Sequence, residues 1–234
     1  GKFYTPAQLG NYSRALSFAQ LPSSNITSIL QRVTFPVLST IQDDIPRLQA
    51  NYRRLLKLSA FIIFPLMIGL SALAFPMIRI ILTPKWEGCS LCLQIICFAL
   101  MWYPIHAINL NLLQVKGRSD LFLRLEIIKK IVGVCIMCIT IPLGITAMCI
   151  GMVASSLISL FINTYYTGKL INIGCLKQMR DLTPIFINSL IMGGIVYFSI
   201  QISDNDILQL SLGIIVGVLS YIGGASMITR SELK

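Results

Sequence analysis

The sequence predicts an all-α integral membrane protein, a polytopic bundle of about seven transmembrane helices. Three observations predict it. Of 234 residues, 55% are hydrophobic and only 12% charged, and the mean hydropathy is +0.77. A soluble domain carries about 25% charge, so this chain cannot cover a water-facing surface. Apolar runs near the ~20 residues needed to cross roughly 30 Å of hydrocarbon recur along the chain. The connections between those runs alternate between basic and neutral or acidic.

The spans fall at 13–39, 57–82, 89–115, 121–141, 145–167, 184–202 and 207–229. Each is too long and too continuous for a soluble strand, and none alternates with period two. The first is long and rather polar. The segment from Asp44 to Asn51 that follows is expected to lie along the membrane surface, with Leu48 and Tyr52 turned down and Arg47 and Arg54 up. Pro22, Pro65, Pro76 and Pro104 fall inside spans, where each removes a backbone hydrogen bond and favours a kink. The connection before span two carries Arg47, Arg53 and Arg54; the next carries Lys85 opposed by Glu87; the next Lys116 and Arg118. Pro142–Gly144 is uncharged, Lys169, Lys177 and Arg180 follow, then Asp204 and Asp206, and finally Arg230 and Lys234. Positive connections mark the cytoplasmic side. The chain is therefore expected to begin outside, cross seven times and end in the cytoplasm. It starts at Gly1 without Met and with an odd number of spans, which reads as a fragment.

The net charge of +10 would suggest nucleic acid in a soluble protein, but no soluble basic domain exists here to hold a duplex. Seven cysteines include CxxC spacings at Cys89/Cys92 and Cys135/Cys138. They sit within apolar runs, where Cys acts as a small packing residue between helices rather than a metal ligand. No Gly-rich phosphate loop, GxSxG or HExxH is present.

Candidate functional residues lie inside the spans. Arg14 and Arg32 are separated by about five full helical turns and share one face of span one, with Ser17, Asn25 and Ser28 near the same line and Ala15, Leu30 and Val33 opposite. Such a stripe suits protein or a water-filled cavity better than lipid, although arginines near helix ends can also snorkel. In span four, about 11 residues separate Lys130 from the turn at Pro142, roughly 16 Å of rise. Lys129 and Lys130 are thus expected near mid-membrane or within snorkelling reach of its inner half, where charges are costly and rarely face lipid. Asp120–Arg124 and Glu126–Lys130 have i,i+4 spacing and are expected as structural ion pairs. His106, the only histidine, and Asn109 share a face of span three, as a proton relay or as polar residues packed between helices.

Leu9-Gly10-Asn11-Tyr12-Ser13-Arg14-Ala15, Leu21-Pro22 and Val33-Thr34-Phe35-Pro36-Val37-Leu38-Ser39 resemble the entry to the second lobe of polysaccharide flippases. So do Asn109-Leu110-Asn111-Leu112-Leu113, Gly117-Arg118-Ser119-Asp120 and Leu125-Glu126-Ile127-Ile128-Lys129-Lys130. These motifs resemble Wzx-type flippases of the multidrug/oligosaccharidyl-lipid/polysaccharide flippase superfamily. The resemblance implies the second lobe of a two-lobe transporter, with the first lobe missing from this chain. It implies translocation of undecaprenyl-pyrophosphate-linked oligosaccharide of O-antigen, exopolysaccharide or teichoic-acid type across the bacterial inner membrane. Alternating access would drive it, without a cofactor, coupled to H+ or Na+. A polysaccharide polymerase and a chain-length regulator are implied partners. Arg14, Asn25, Arg32, Arg118, Arg124, Lys129 and Lys130 are the expected cationic and polar lining of a substrate cavity. A multidrug or cation exporter would instead need unpaired cavity carboxylates, and a glycan polymerase or ligase a sizeable outer loop with reactive groups.

Overall fold

The computed structural model describes residues 4–232, with side chains through residue 226. Arg230 and Lys234 lie outside the described side chains. Among the described residues the chain forms nine α-helices: α1 (Pro6–Ser39), α2 (Ile45–Ala72), α3 (Ala74–Leu82), α4 (Gly88–Leu100), α5 (Tyr103–Val115), α6 (Ser119–Thr140), α7 (Ile145–Ile171), α8 (Cys175–Ser199) and α9 (Asp206–Glu232). Five of the described helical stretches are long and apolar enough to cross a membrane, with α4 and α5 together forming one of them. α1 and α6 do not meet that standard, and they are the two helices that carry most of the candidate cations. Their polar faces lower the mean apolarity without shortening the helix, which at 34 and 22 residues spans about 51 and 33 Å.

Proline sets the breaks. Pro76 cannot donate to the carbonyl of Ala72, where α2 ends, and Pro104 cannot donate to that of Leu100, where α4 ends. Pro22 and Pro65 sit inside α1 and α2, which run on past them. Two of the carbonyls freed at the α4–α5 break are taken by hydroxyls from other helices. Ser156 Oγ donates to Ala99 O at 2.8 Å and Ser23 Oγ to Leu100 O at 2.9 Å. Buried carbonyls need such partners where no water reaches.

The surface helix expected over Asp44–Asn51 is not there. α2 starts at Ile45, capped by Asp44, whose side chain accepts from Arg47 N. Its first turns are buried: Leu48, Tyr52 and Leu56 are fully enclosed. Hydropathy places the start of the span too late because Arg47, Arg53 and Arg54 sit on the opposite, exposed side of the same turns. α2 is the centre of the bundle, packed on α1, α4, α5 and α8, while α8 also carries α9. The core holds Phe64 against Trp102 and Phe186 in edge-on contacts with ring centroids 5.2 and 5.7 Å apart. α6 is peripheral, packing on α7 and α5 with only Leu125 buried. It turns into α7 through Pro142 and Gly144, whose φ of 107° lies in the glycine-favoured region.

Candidate substrate cavity

A cavity of about 630 Å³ lies between α1 and α6, floored by α5 and α7. Glu126, Lys129 and Lys130 line it from α6, His106 from α5, Ser155, Ser156 and Ser159 from α7, and Thr27 and Gln31 from α1. Lys129 stands about 15 Å from one end of α6 and 16 Å from the other, so two cations occupy mid-height of a helix that is apolar beyond them. The Lys129 side chain is 13% exposed and is ion-paired to Glu126. Lys130 is exposed and has no ion pair among the described residues.

The pairing differs from that expected by spacing. Glu126 takes Lys129 at i+3 rather than Lys130 at i+4. The shielded lysine takes the carboxylate because burying its charge unpaired costs more. Asp120 takes Arg118 in a two-point hydrogen bond, both at 2.9 Å, rather than Arg124. Arg118 caps the helix in a non-helical conformation (φ −94°, ψ 56°), which lets its guanidinium reach the first turn. That hydrogen bond holds the Asp120 carboxyl well below its usual range, at about 2. Arg118 and Arg124 are exposed and stand outside the cavity lining.

His106 is held at both ring nitrogens. Asn163 Nδ2 lies 3.3 Å from Nδ1, and Nε2 lies 3.2 Å from Ser156 Oγ. Asn163 Nδ2 can only donate, so Nδ1 accepts and Nε2–H donates to Ser156, which donates onward to Ala99 O. Asn109, grouped with His106 by spacing, lines nothing open. It is fully buried at a knot of four helices: Oδ1 accepts from Tyr52 OH at 2.9 Å, Thr167 Oγ1 at 2.7 Å and Gln178 Nε2 at 3.3 Å. Its Nδ2 donates to Ile105 O and Gln178 Oε1. Beside this knot, Arg53 clamps the buried Asp181 through two 2.6 Å hydrogen bonds.

The stripe on α1 goes elsewhere. Ala15, Ala19, Ser23, Thr34 and Leu38 form its packed face, centred about 170° from Arg14 and Arg32. Arg14, Ser17, Asn25, Ser28 and Arg32 are all exposed on the side of α1 opposite its packed face, with Arg14 resting over the Trp86 ring at 5.9 Å. Val33, expected on the packed side, is 51% exposed, because the packed face centres about 70° from the line through Ala15 and Val33. Cys135 and Cys138 likewise face outward rather than packing between helices, since α6 buries little of its circumference. The α7 serines were not anticipated. Their signal was available in Ser155-Ser156 and Ser159, three hydroxyls within an apolar span.

Residues 1–91 match a family described as "Polysaccharide biosynthesis protein". The chain is 30% identical over 162 residues to an "Uncharacterized membrane protein in cps region" of Klebsiella pneumoniae, a stretch covering 69% of this chain and 33% of that protein. It is 28% identical over 120 residues to "Lipopolysaccharide biosynthesis protein WzxC" of Escherichia coli K12, covering 51% of this chain and 24% of that one. It is 26% identical over 121 residues to "Teichuronic acid biosynthesis protein TuaB" of Bacillus subtilis 168, covering 52% and 25%. The matched stretches thus span a third or less of each curated relative. Among solved structures, "Lipid II flippase MurJ, inward closed conformation" superposes with a TM-score of 0.83 at 19% identity, covering 99% of this chain and 49% of MurJ. The fold is that of the matched half of MurJ, and the resemblance to polysaccharide flippases is borne out.

Proposed function

We propose that this chain is the second lobe of a flippase that moves a lipid-linked glycan across the bacterial inner membrane. The carrying observation is the pair Lys129–Lys130 at mid-height of α6, inside a cavity whose other polar groups are hydroxyls, one amide, one imidazole and the Glu126 carboxylate paired to Lys129. Cations at that depth favour an anion in a low-dielectric space, and a lipid pyrophosphate is such an anion. The flanking Ser155, Ser159, Thr27 and Gln31 suit sugar hydroxyls. The outward stripe of α1, with Arg14, Asn25 and Arg32, supplies a second cationic face that a facing lobe would enclose. Undecaprenyl pyrophosphate as carrier, alternating access, and coupling to H+ or Na+ belong to this reading, as do a polymerase and a chain-length regulator as partners. His106, wired through Ser156 to the α4–α5 break, is the residue through which a proton would be felt.

The basic connections around Arg53, Lys116 and Lys177 face the cytoplasm in this reading, and those at Lys85 and Pro142–Gly144 face outside. A cation exporter fits less well, because Glu126, the one carboxylate on the cavity wall, is already neutralised by Lys129. The test is complementation. The full-length protein is expressed in a bacterium deleted for its own flippase and supplied with the source's repeat-unit pathway. Restored surface polysaccharide supports flipping. A correctly inserted protein that leaves the repeat unit inside refutes it.

A further inference from the structure

A second concavity, of about 470 Å³, lies on the opposite side of α2, against α8. It is lined by Ala50, Arg53, Arg54, Lys57, Leu58, Phe61 and Ile185. The cations and the apolar residues are ordered by height. Arg54 to Phe61 is seven residues, about 10 Å along one side of the helix, and Lys57 to Phe61 is one turn. Leu58 and Phe61 are 49% and 44% exposed, so the basic rim passes directly into an open apolar wall. Asp181, itself 5% exposed, fixes Arg53 at this rim through its two-point hydrogen bond, which holds one guanidinium in place. Arg54 is exposed and has no ion pair among the described residues.

From this arrangement we infer that the α2–α8 groove binds one anionic phospholipid, with its phosphate between Arg54 and Lys57 and an acyl chain along Leu58, Phe61 and Ile185. A cationic rim beside an apolar track matches the division within a phospholipid between head and chain. Basic pockets between transmembrane helices are where acidic headgroups lodge. Arg47, seven residues before Arg54 on the same side of α2, adds a further cation to the approach. A water-soluble polyanion has no use for the apolar wall, and a zwitterionic lipid no use for the basic rim. The site is separate from the α1–α6 cavity and does not depend on what that cavity carries.

The test is native mass spectrometry of the full-length protein released from nanodiscs of stated composition. From nanodiscs of equal phosphatidylglycerol and phosphatidylcholine, the wild type is expected to keep one phosphatidylglycerol. Arg54→Gln/Lys57→Gln is expected to hold it roughly 30-fold more weakly, from two cations near the membrane surface. Lys177→Gln, with one surface charge removed outside the groove, is expected to keep it. Leu58→Ser/Phe61→Ser tests the chain track without touching charge and is expected to lose the lipid as well. Equal retention of phosphatidylcholine, or unchanged retention in Arg54→Gln/Lys57→Gln, overturns the proposal. Displacement of the lipid by millimolar inorganic phosphate also overturns it, because the site would then read phosphate without a chain.

Discussion

Replacing Lys130 with Met removes a cation from the cavity wall while keeping nearly the same side-chain length. No ion pair is broken, because Glu126 is held by Lys129. The charge on the cavity-facing stretch of α6, from Glu126, Lys129 and Lys130, falls from +1 to 0. For one negative charge about 6 Å away at an effective dielectric constant of about 20, Coulomb's law gives close to 3 kcal/mol. That corresponds to about a 100-fold loss of substrate binding or flux. The assay is surface polysaccharide per cell in the flippase-deleted strain, normalised to membrane-inserted protein. Arg124→Met is the matched comparison: same helix, same charge change, but outside the cavity, with display expected within about twofold of wild type. Full display with Lys130→Met, or equal losses for both variants, refutes the assignment of the cavity to an anionic substrate.

Asn109→Ala leaves the Tyr52 and Thr167 hydroxyls and the Gln178 amide without their shared buried acceptor. A loss of about 3 kcal/mol or more is expected, read as a lowered thermal midpoint in detergent, with Tyr52→Phe costing only about 1 kcal/mol. Arg53→Met strands the buried Asp181 charge and is expected to destabilise by about 3–5 kcal/mol, while Arg53→Met/Asp181→Leu recovers much of it; the same melting assay reads both. The Asp120 carboxyl is held near 2 by Arg118, below its ordinary 3.8, so the pair's contribution is present above about pH 4 and is lost as pH falls towards 2. Wild type and Asp120→Asn should therefore show parallel stability between pH 5 and 7 and converge only below pH 4; the pair is fully exposed, so the difference is small. In a cysteine-free background, Lys85→Cys should react with a membrane-impermeant maleimide from outside intact cells and Lys116→Cys should not; the reverse pattern refutes the orientation.

Much of the fold was legible because a bilayer imposes one length on every crossing helix, and the described helices follow the apolar runs closely. The error at α2 shows the limit. Leu48, Tyr52 and Leu56 are core residues, yet three arginines on the far side of the same turns hid them from any average along the chain. In α6 the mid-helix position of Lys129 and Lys130 followed from counting residues to Pro142, whereas the ion-pair partners did not. Spacing along an ideal helix cannot register the non-helical cap that turns Arg118 onto Asp120. The face of α1 that carries Arg14 and Arg32 was read correctly from periodicity, but what that face meets is not a local property. The Asn109 knot was out of reach for the same reason. Its partners lie 57, 58 and 69 residues away, and a single sequence carries no record of such pairings.

The α4–α5 break has a consequence for how the bundle can bend. Ser23 and Ser156 each hold a carbonyl of another helix, and each has a substitute within its own helix, the carbonyl four residues back at Ala19 and Met152. For Ser156 the exchange conserves the number of hydrogen bonds, because Ala99 O can close onto Tyr103 N as the break straightens, whereas Leu100 O, four residues before Pro104, has no such donor and keeps its need of Ser23. The joint thus has one exchangeable latch, Ser156 on α7, and one fixed keeper, Ser23 on α1. Ser156 also accepts a hydrogen bond from His106 Nε2–H, so the imidazole on α5 is tied to the exchangeable latch.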